Sequence, residues 1–202
     1  MKADWRRLIL SDDQLILFGA NDAVLPLPTT SQHVPIEKYK QFLQEIVSHE
    51  NIVAHKPKIL LATPPPLDEI RTTELDLAKG HASSQRLAKV SAAYSEVARE
   101  VAKANDGVVL IDLWKGIMDK AISMTPGFDA SGPALGTPES GQRGGLELLL
   151  PDGLHMSGEA YEVLYDLVLP HIGTEWKNLP EGDRTGYVFP DWQEMPCFPV
   201  HK

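Results

Sequence analysis

The sequence predicts a three-layer α/β fold built on a short parallel sheet. Three apolar runs carry that prediction: Gln14–Phe18, Lys58–Ala62 and Gly107–Asp112. None alternates in the manner of a half-exposed strand. Runs of this kind suit strands buried on both faces of a parallel sheet. Helical patterns separate them, giving the order β-α-β-α-β-α-α with right-handed crossovers expected.

Taken in order, Trp5–Leu10 reads equally as a helix end or a short edge strand, and Ser11-Asp12-Asp13 breaks it. The first strand, Gln14–Phe18, ends at Gly19. Residues 23–34 form a loop with Pro26 and Pro28. Pro35 suits a first helical turn, and Ile36, Tyr39, Leu43, Ile46 and Val47 follow at helical spacing. The second strand, Lys58–Ala62, is stopped by Thr63-Pro64-Pro65-Pro66. Residues 67–82 read as polar and irregular. Ser83 or Ser84 can cap a long helix carrying Leu87, Val90, Tyr94, Val97 and Val101. The third strand is Gly107–Asp112, and Leu113–Ser123 reads as a helix. Residues 124–147, rich in Gly, Pro, Ser and Thr, read as a loop. Ser157 opens the last helix, with Tyr161, Leu164, Tyr165 and Val168 expected inward and Pro170 kinking or ending it. Beyond Trp176 a Pro-rich tail reads as an extended strap anchored by Trp192 and Phe198. Residues 1–202 are therefore expected to form one domain with a tail over 176–202.

Composition narrows the function. The chain has 202 residues and a net charge of −9, which argues against nucleic acid or an anionic membrane as partner. The single cysteine, Cys197, rules out an internal disulfide. No apolar run is long enough for a bilayer span, and Asp12 and Asp13 interrupt any signal-peptide pattern, so a cytoplasmic protein is expected. The histidines show no paired ligand spacing, and no glycine-rich phosphate cradle follows the first strand. No metal and no cofactor are expected.

Open parallel sheets bind ligands beyond the carboxyl ends of their strands. Gly19-Ala20-Asn21-Asp22, Thr63–Pro66 and Asp112 all fall there. Asp152-Gly153-Leu154-His155 forms a D-x-x-H turn just before a helix. In such a turn the carboxylate can reach the imidazole, fix its tautomer and stabilise the imidazolium.

Gly19-Ala20-Asn21-Asp22 after a buried strand, and Asp152-Gly153-Leu154-His155 before the final helix, resemble the third and fifth sequence blocks of the SGNH/GDSL hydrolases. Thr63-Pro64-Pro65-Pro66-Leu67-Asp68-Glu69 and Tyr187-Val188-Phe189-Pro190-Asp191-Trp192 are similar to the isoamyl acetate-hydrolysing esterase branch. The resemblance runs from about Gln14 to Trp192. It implies a three-layer α/β/α, flavodoxin-like fold and ester hydrolysis through a serine acyl-enzyme. By resemblance, His155 is the general base, Asp152 the carboxylate that orients it, and Asn21 an oxyanion donor. One such donor lowers a barrier by about 3–4 kcal/mol. Gly19, Asp22 and Pro64 are expected at the substrate, with Gly19 allowing the tight turn and Asp22 capping the loop as an Asx turn.

The chain also departs from that family. Only 18 residues precede Gly19, and none spells the Gly-Asp-Ser of the family nucleophile. No G-x-S-x-G elbow occurs either. The family sheet has five parallel strands, and this chain is expected to supply the last three, with the N-terminal βα units absent. Ser11 lies at the wrong end of its strand, Ser157 reads as an N-cap, Ser131 and Ser140 lie in a loop, and Cys197 reads as a small buried hydrophobe. The resemblance thus implies an esterase-like protein for a small ester or related carbonyl compound that keeps Asn21 and the Asp152–His155 pair but lacks the serine. Two alternatives stand beside it. One is a non-hydrolytic isomerase, dehydratase or cyclase using His155 as acid and base. The other is a non-catalytic binding or assembly protein. An unpaired, apolar first strand is expected to make the chain a homodimer.

Overall fold

The computed structural model describes residues 13–54 and 56–172. Trp5–Leu10, Ser11, Tyr187–Trp192, Cys197 and Phe198 lie outside them. Three strands, β1 (Asp13–Leu17), β2 (Lys58–Ala62) and β3 (Val108–Ile111), pair in parallel in the order β1-β2-β3. Ile16 sits beside Leu61, and Leu61 beside Leu110. The helices are α1 (Ile36–Val47), α2 (Glu50–Val53), α3 (Glu69–Ala78), α4 (Ala88–Ala104), α5 (Leu113–Ser123), α6 (Leu146–Leu149) and α7 (Gly158–Val168).

Side chains alternate across a strand, so Ile16, Ile59 and Leu61 share one face. They join Tyr39, Leu43 and Val47 of α1 and Tyr94, Ala98 and Val101 of α4 in one buried cluster. Burying such apolar side chains contributes roughly 1.5–3 kcal/mol each. The Tyr39 and Tyr94 rings meet at 5.0 Å. Both hydroxyls find backbone acceptors: Tyr39 donates to the Phe18 carbonyl at 3.0 Å, and Tyr94 donates to the Val34 carbonyl. Burial, helped by the Asp22 charge, raises the Tyr39 phenol, which keeps it a donor.

The opposite face carries Leu60 and Ala62, also fully buried. The crossovers place α1, α2 and α4 on the first face, while α5, α6 and α7 pack together as the second helical layer. α7 packs against α5 at Gly116, where an added Cβ would meet Leu167 at 2.9 Å and Val163 at 3.1 Å. At its far end the His171 carbonyl accepts from Lys58 Nζ at 2.7 Å, at the start of β2. Among the described residues, no helix is long and apolar enough to cross a membrane.

Four expectations change. Residues 67–82 are not irregular: α3 lies there, capped by Asp68, whose carboxylate accepts from the Arg71 N–H at 3.1 Å. Neither Ser83 nor Ser84 caps α4. The Glu69 carboxylate accepts from the Ala88 N–H at 2.7 Å instead, tying the starts of α3 and α4 together. The 124–147 segment runs into a helical turn, α6, and is fastened throughout: Gly136 N–H donates to the Gln142 carbonyl at 2.8 Å, and Leu135 is buried. Finally, α7 buries Ala160 and Leu164, while Tyr161 and Tyr165 are about half exposed. The inward face is set one residue earlier than the aromatic pattern suggested, because the close approach at Gly116 is filled by Val163 and Leu167.

Candidate active site

The loop after β1 presents the first set of candidate residues. Gly19 has φ +116°, and an added Cβ would sit 2.8 Å from the Tyr39 hydroxyl and 3.0 Å from Pro64. Only glycine accepts both that backbone conformation and that crowding. The turn closes through the Ala23 N–H donating to the Gly19 carbonyl at 3.0 Å and leaves Asn21 exposed at its tip. Asp22 does not cap this loop with its side chain among the described residues; its backbone carbonyl accepts from the Val34 N–H at 3.2 Å. Pro64 is buried behind Gly19, with its carbonyl accepting from Ser95 Oγ at 3.2 Å, and the neighbouring Pro65 reaches the cavity surface instead.

The turn before α7 presents the second set. Asp152 Oδ1 accepts from the backbone N–H groups of Leu154 at 3.0 Å and His155 at 2.8 Å. Its Oδ2 lies 2.6 Å from His155 Nδ1. Partial burial acts to raise the Asp152 carboxyl, but the hydrogen bonds from the His155 ring and the two backbone N–H groups outweigh it and hold the pKa at about 2. The carboxylate is therefore ionised and can only accept. Nδ1 must carry the proton of the pair, which leaves Nε2 of the 80% exposed imidazole for other chemistry.

The turn is itself braced from below. Gly153 has φ +85°, and its carbonyl accepts from the Asp68 N–H at 2.9 Å. Asp68 is fully buried and paired with Arg143 Nε at 2.6 Å. Ser157 then caps α7, accepting from the Ala160 N–H at 3.3 Å.

A cavity of about 240 Å³ joins the two sets. Leu17, Phe18, Asn21, Pro65, His155 and Tyr161 line it, and Gly19 and Asp22 border it. A second cavity of about 320 Å³ shares His155 and Leu154 with the first and has Ser31, Gln32, Lys79, His81 and Arg86 in its wall. The structure thus brings Asn21, Gly19, Asp22, Asp152 and His155 to one end of the sheet and leaves Pro64 beneath it. Asp112 is not part of this group. It pairs with Arg99 through two contacts of 3.0 Å and 2.9 Å and caps α5. Ser131 and Ser140 are engaged with their own loop, at Asp129 Oδ1 and the Thr137 carbonyl.

Sequence reading missed Asp68, Arg143 and Arg86. Asp68 carried a usable signal, an N-cap residue ahead of Glu-Ile-Arg. The two arginines carried none, since their partners lie far away in the chain.

Residues 14–168 match the family model described as GDSL-like Lipase/Acylhydrolase. The isoamyl acetate-hydrolyzing esterase 1 homolog of Rattus norvegicus is 27% identical over 181 residues, covering 89% of this chain and 61% of the relative. The Homo sapiens homolog is likewise 27% identical, over 89% of this chain and 60% of its own length. The chain therefore spans about three fifths of these relatives. A solved Streptococcus pneumonia structure, named for a platelet activating factor, superposes with a TM-score of 0.53 at 18% identity over 79% of this chain and 58% of that one, a likeness of fold.

Proposed function

Because this chain belongs to the GDSL-like lipase/acylhydrolase family, we propose that it carries the acid–base and oxyanion half of a site for a small carboxylic ester. One observation carries the reading: His155, whose Nδ1 lies 2.6 Å from Asp152 Oδ2, shares a cavity with Asn21. In this reading His155 Nε2 takes a proton from the attacking water and gives it to the departing alkoxide. Asp152 holds the ring and stabilises the imidazolium. The Asn21 amide donates to the oxygen that becomes negative in the tetrahedral intermediate.

No Gly-Asp-Ser occurs in the sequence, so we infer that this chain forms no serine acyl-enzyme and that water is the attacking group in any hydrolysis by it. The test pairs a fluorophosphonate probe with turnover of p-nitrophenyl acetate. We expect no stoichiometric serine labelling, and slow turnover that falls about 10²-fold or more in His155→Ala. A labelled serine overturns the missing nucleophile, and full turnover in His155→Ala overturns the role of His155.

The missing serine also favours a second reading, in which the same imidazole and amide isomerise, dehydrate or cyclise a small carbonyl compound. Product-resolved assays that depend on His155 while ester turnover is absent would select it. A protein that binds the carbonyl compound without turnover in either assay would be a binding module.

Assembly belongs to the same proposal. Among the described residues β1 has a strand neighbour on one side only, and Leu15 within it and Phe18 directly after it are about half exposed. We infer a homodimer joined through this edge.

A further inference from the structure

Asn21 sits exposed at the tip of its turn, where an amide side chain ordinarily rotates freely. Three acceptors near it converge on one cation. Arg86 Nη1 donates to the Ala20 carbonyl at 2.5 Å, and Nη2 donates to Asn21 Oδ1 at 3.4 Å and to Gln32 Oε1 at 3.5 Å. Arg86 comes from the segment leading into α4, which Glu69 anchors through the Ala88 N–H. The guanidinium is partly buried, and this desolvation lowers its pKa while Asp76 raises it. A guanidinium has only donors, so the end of Asn21 that faces it must be the oxygen. The amide nitrogen, with its two donors, is then the end left for the cavity shared with His155.

We propose that Arg86 is the positioning residue of the oxyanion donor: it clamps the Asn21 turn and selects the amide orientation in which N–H groups face the substrate. The proposal rests on the reading of Asn21 as that donor. It concerns the orientation of one side chain and can be tested whether or not the chain turns over an ester. A preorganised donor acts at the reacting oxygen without first having to rotate, which is where most of its catalytic value lies.

The experiment measures ¹⁵N relaxation of the Asn21 side-chain amide in the wild type, Arg86→Met, Arg86→Gln and Arg86→Lys. In the wild type we expect an order parameter close to that of rigid backbone, roughly 0.85, falling below about 0.6 in Arg86→Met. Arg86→Lys, which keeps a donor-only cation, should recover part of the order. Arg86→Gln fills the space without the charge and serves if the methionine variant does not fold. If Arg86 merely braces the backbone at Ala20, the Asn21 side-chain amide is already mobile in the wild type, or stays ordered in every variant; either result overturns the proposal. Where the wild type hydrolyses p-nitrophenyl acetate, Arg86→Met should lower kcat about tenfold with little change in KM, and Arg86→Lys should restore part of it. Ordered Asn21 with no ester turnover leaves the clamp standing and counts against the esterase reading alone.

Discussion

Asp152 uses both carboxylate oxygens on a single turn, one on two backbone N–H groups and one on the His155 ring. Its folded pKa of about 2 lies below the ordinary 3.8. A carboxyl depressed on folding adds stability that is fully present above its unfolded pKa and is lost as the pH falls through the folded one. The Asp152 contribution should therefore hold at neutral pH and fade between about pH 4 and about pH 2. The side chain is 45% exposed, so solvent screening keeps it below about 1 kcal/mol. The carboxyl ¹³C shift of Asp152 should titrate with a midpoint near 2, and the difference in urea midpoint between wild type and Asp152→Asn should shrink across the same range. A midpoint near 4 refutes it. This pair was legible in the sequence because a spacing of three residues across a glycine fixes what can touch. Arg86 was not, because its acceptors Ala20 and Asn21 lie more than sixty residues upstream and only the folded loops bring them within reach.

At the scale of elements, the D-x-x-H turn owes its position to α3 rather than to the helix it introduces. A Cβ at Gly153 would lie 2.7 Å from the Asp68 carbonyl and 2.8 Å from Thr72 Cγ2, with φ at +85°. Gly153→Ala should cost about 2 kcal/mol or more and displace His155, seen as lowered thermal stability together with loss of the Asp152–His155 hydrogen-bond signal. Arg143 holds the loop before α6 to the buried Asp68 carboxylate. Arg143→Met should cost about 3 kcal/mol by leaving that charge unpaired, while adding Asp68→Asn should recover part of the loss, since the amide oxygen can still cap α3. A methionine variant as stable as wild type would show that the ion pair contributes nothing. α3 escaped sequence reading for a physical reason. It buries only Thr72 among its ten residues, so no apolar periodicity marks it, and its caps and its seat under Gly153 hold it in place. β2 and α1, which bury Ile59, Leu60, Leu61 and Ala62 and Tyr39, Leu43 and Val47, were readable without any partner information. The apolar runs of β1 and β3 were readable as strands, but burial on both faces was not, since each buries one residue and leaves Leu15 or Leu110 exposed.

At the scale of the molecule, the sheet order β1-β2-β3 leaves β1 at an edge among the described residues. Ile16 points into the core and is 6% exposed, whereas Leu15 is 46% exposed on the other face. Leu15→Lys is therefore the informative probe of the proposed homodimer, because it changes the edge without burying a charge inside the protomer. Sedimentation should show a dimer in the micromolar range for the wild type and a folded monomer for Leu15→Lys. A wild-type monomer at those concentrations rules the dimer out. The layer type was legible at this scale because three unalternating runs separated by helical patterns admit few other arrangements. The turned-out faces of Tyr161 and Tyr165 were not, because the direction of α7 is set by a glycine on a different helix.

The bond from the Asp68 N–H to the Gly153 carbonyl gives this protein a built-in clock. Asp68 is fully buried, so its amide hydrogen meets solvent only when the Gly153 turn lifts away or the whole domain unfolds. Its isotope exchange rate, compared with that of strand amides in β2, separates those two events. If Asp68 exchanges with the slowest strand amides, the imidazole is as permanent as the sheet. If it exchanges faster, the difference is the free energy of a breathing motion that carries His155 out of and back into register with Asn21.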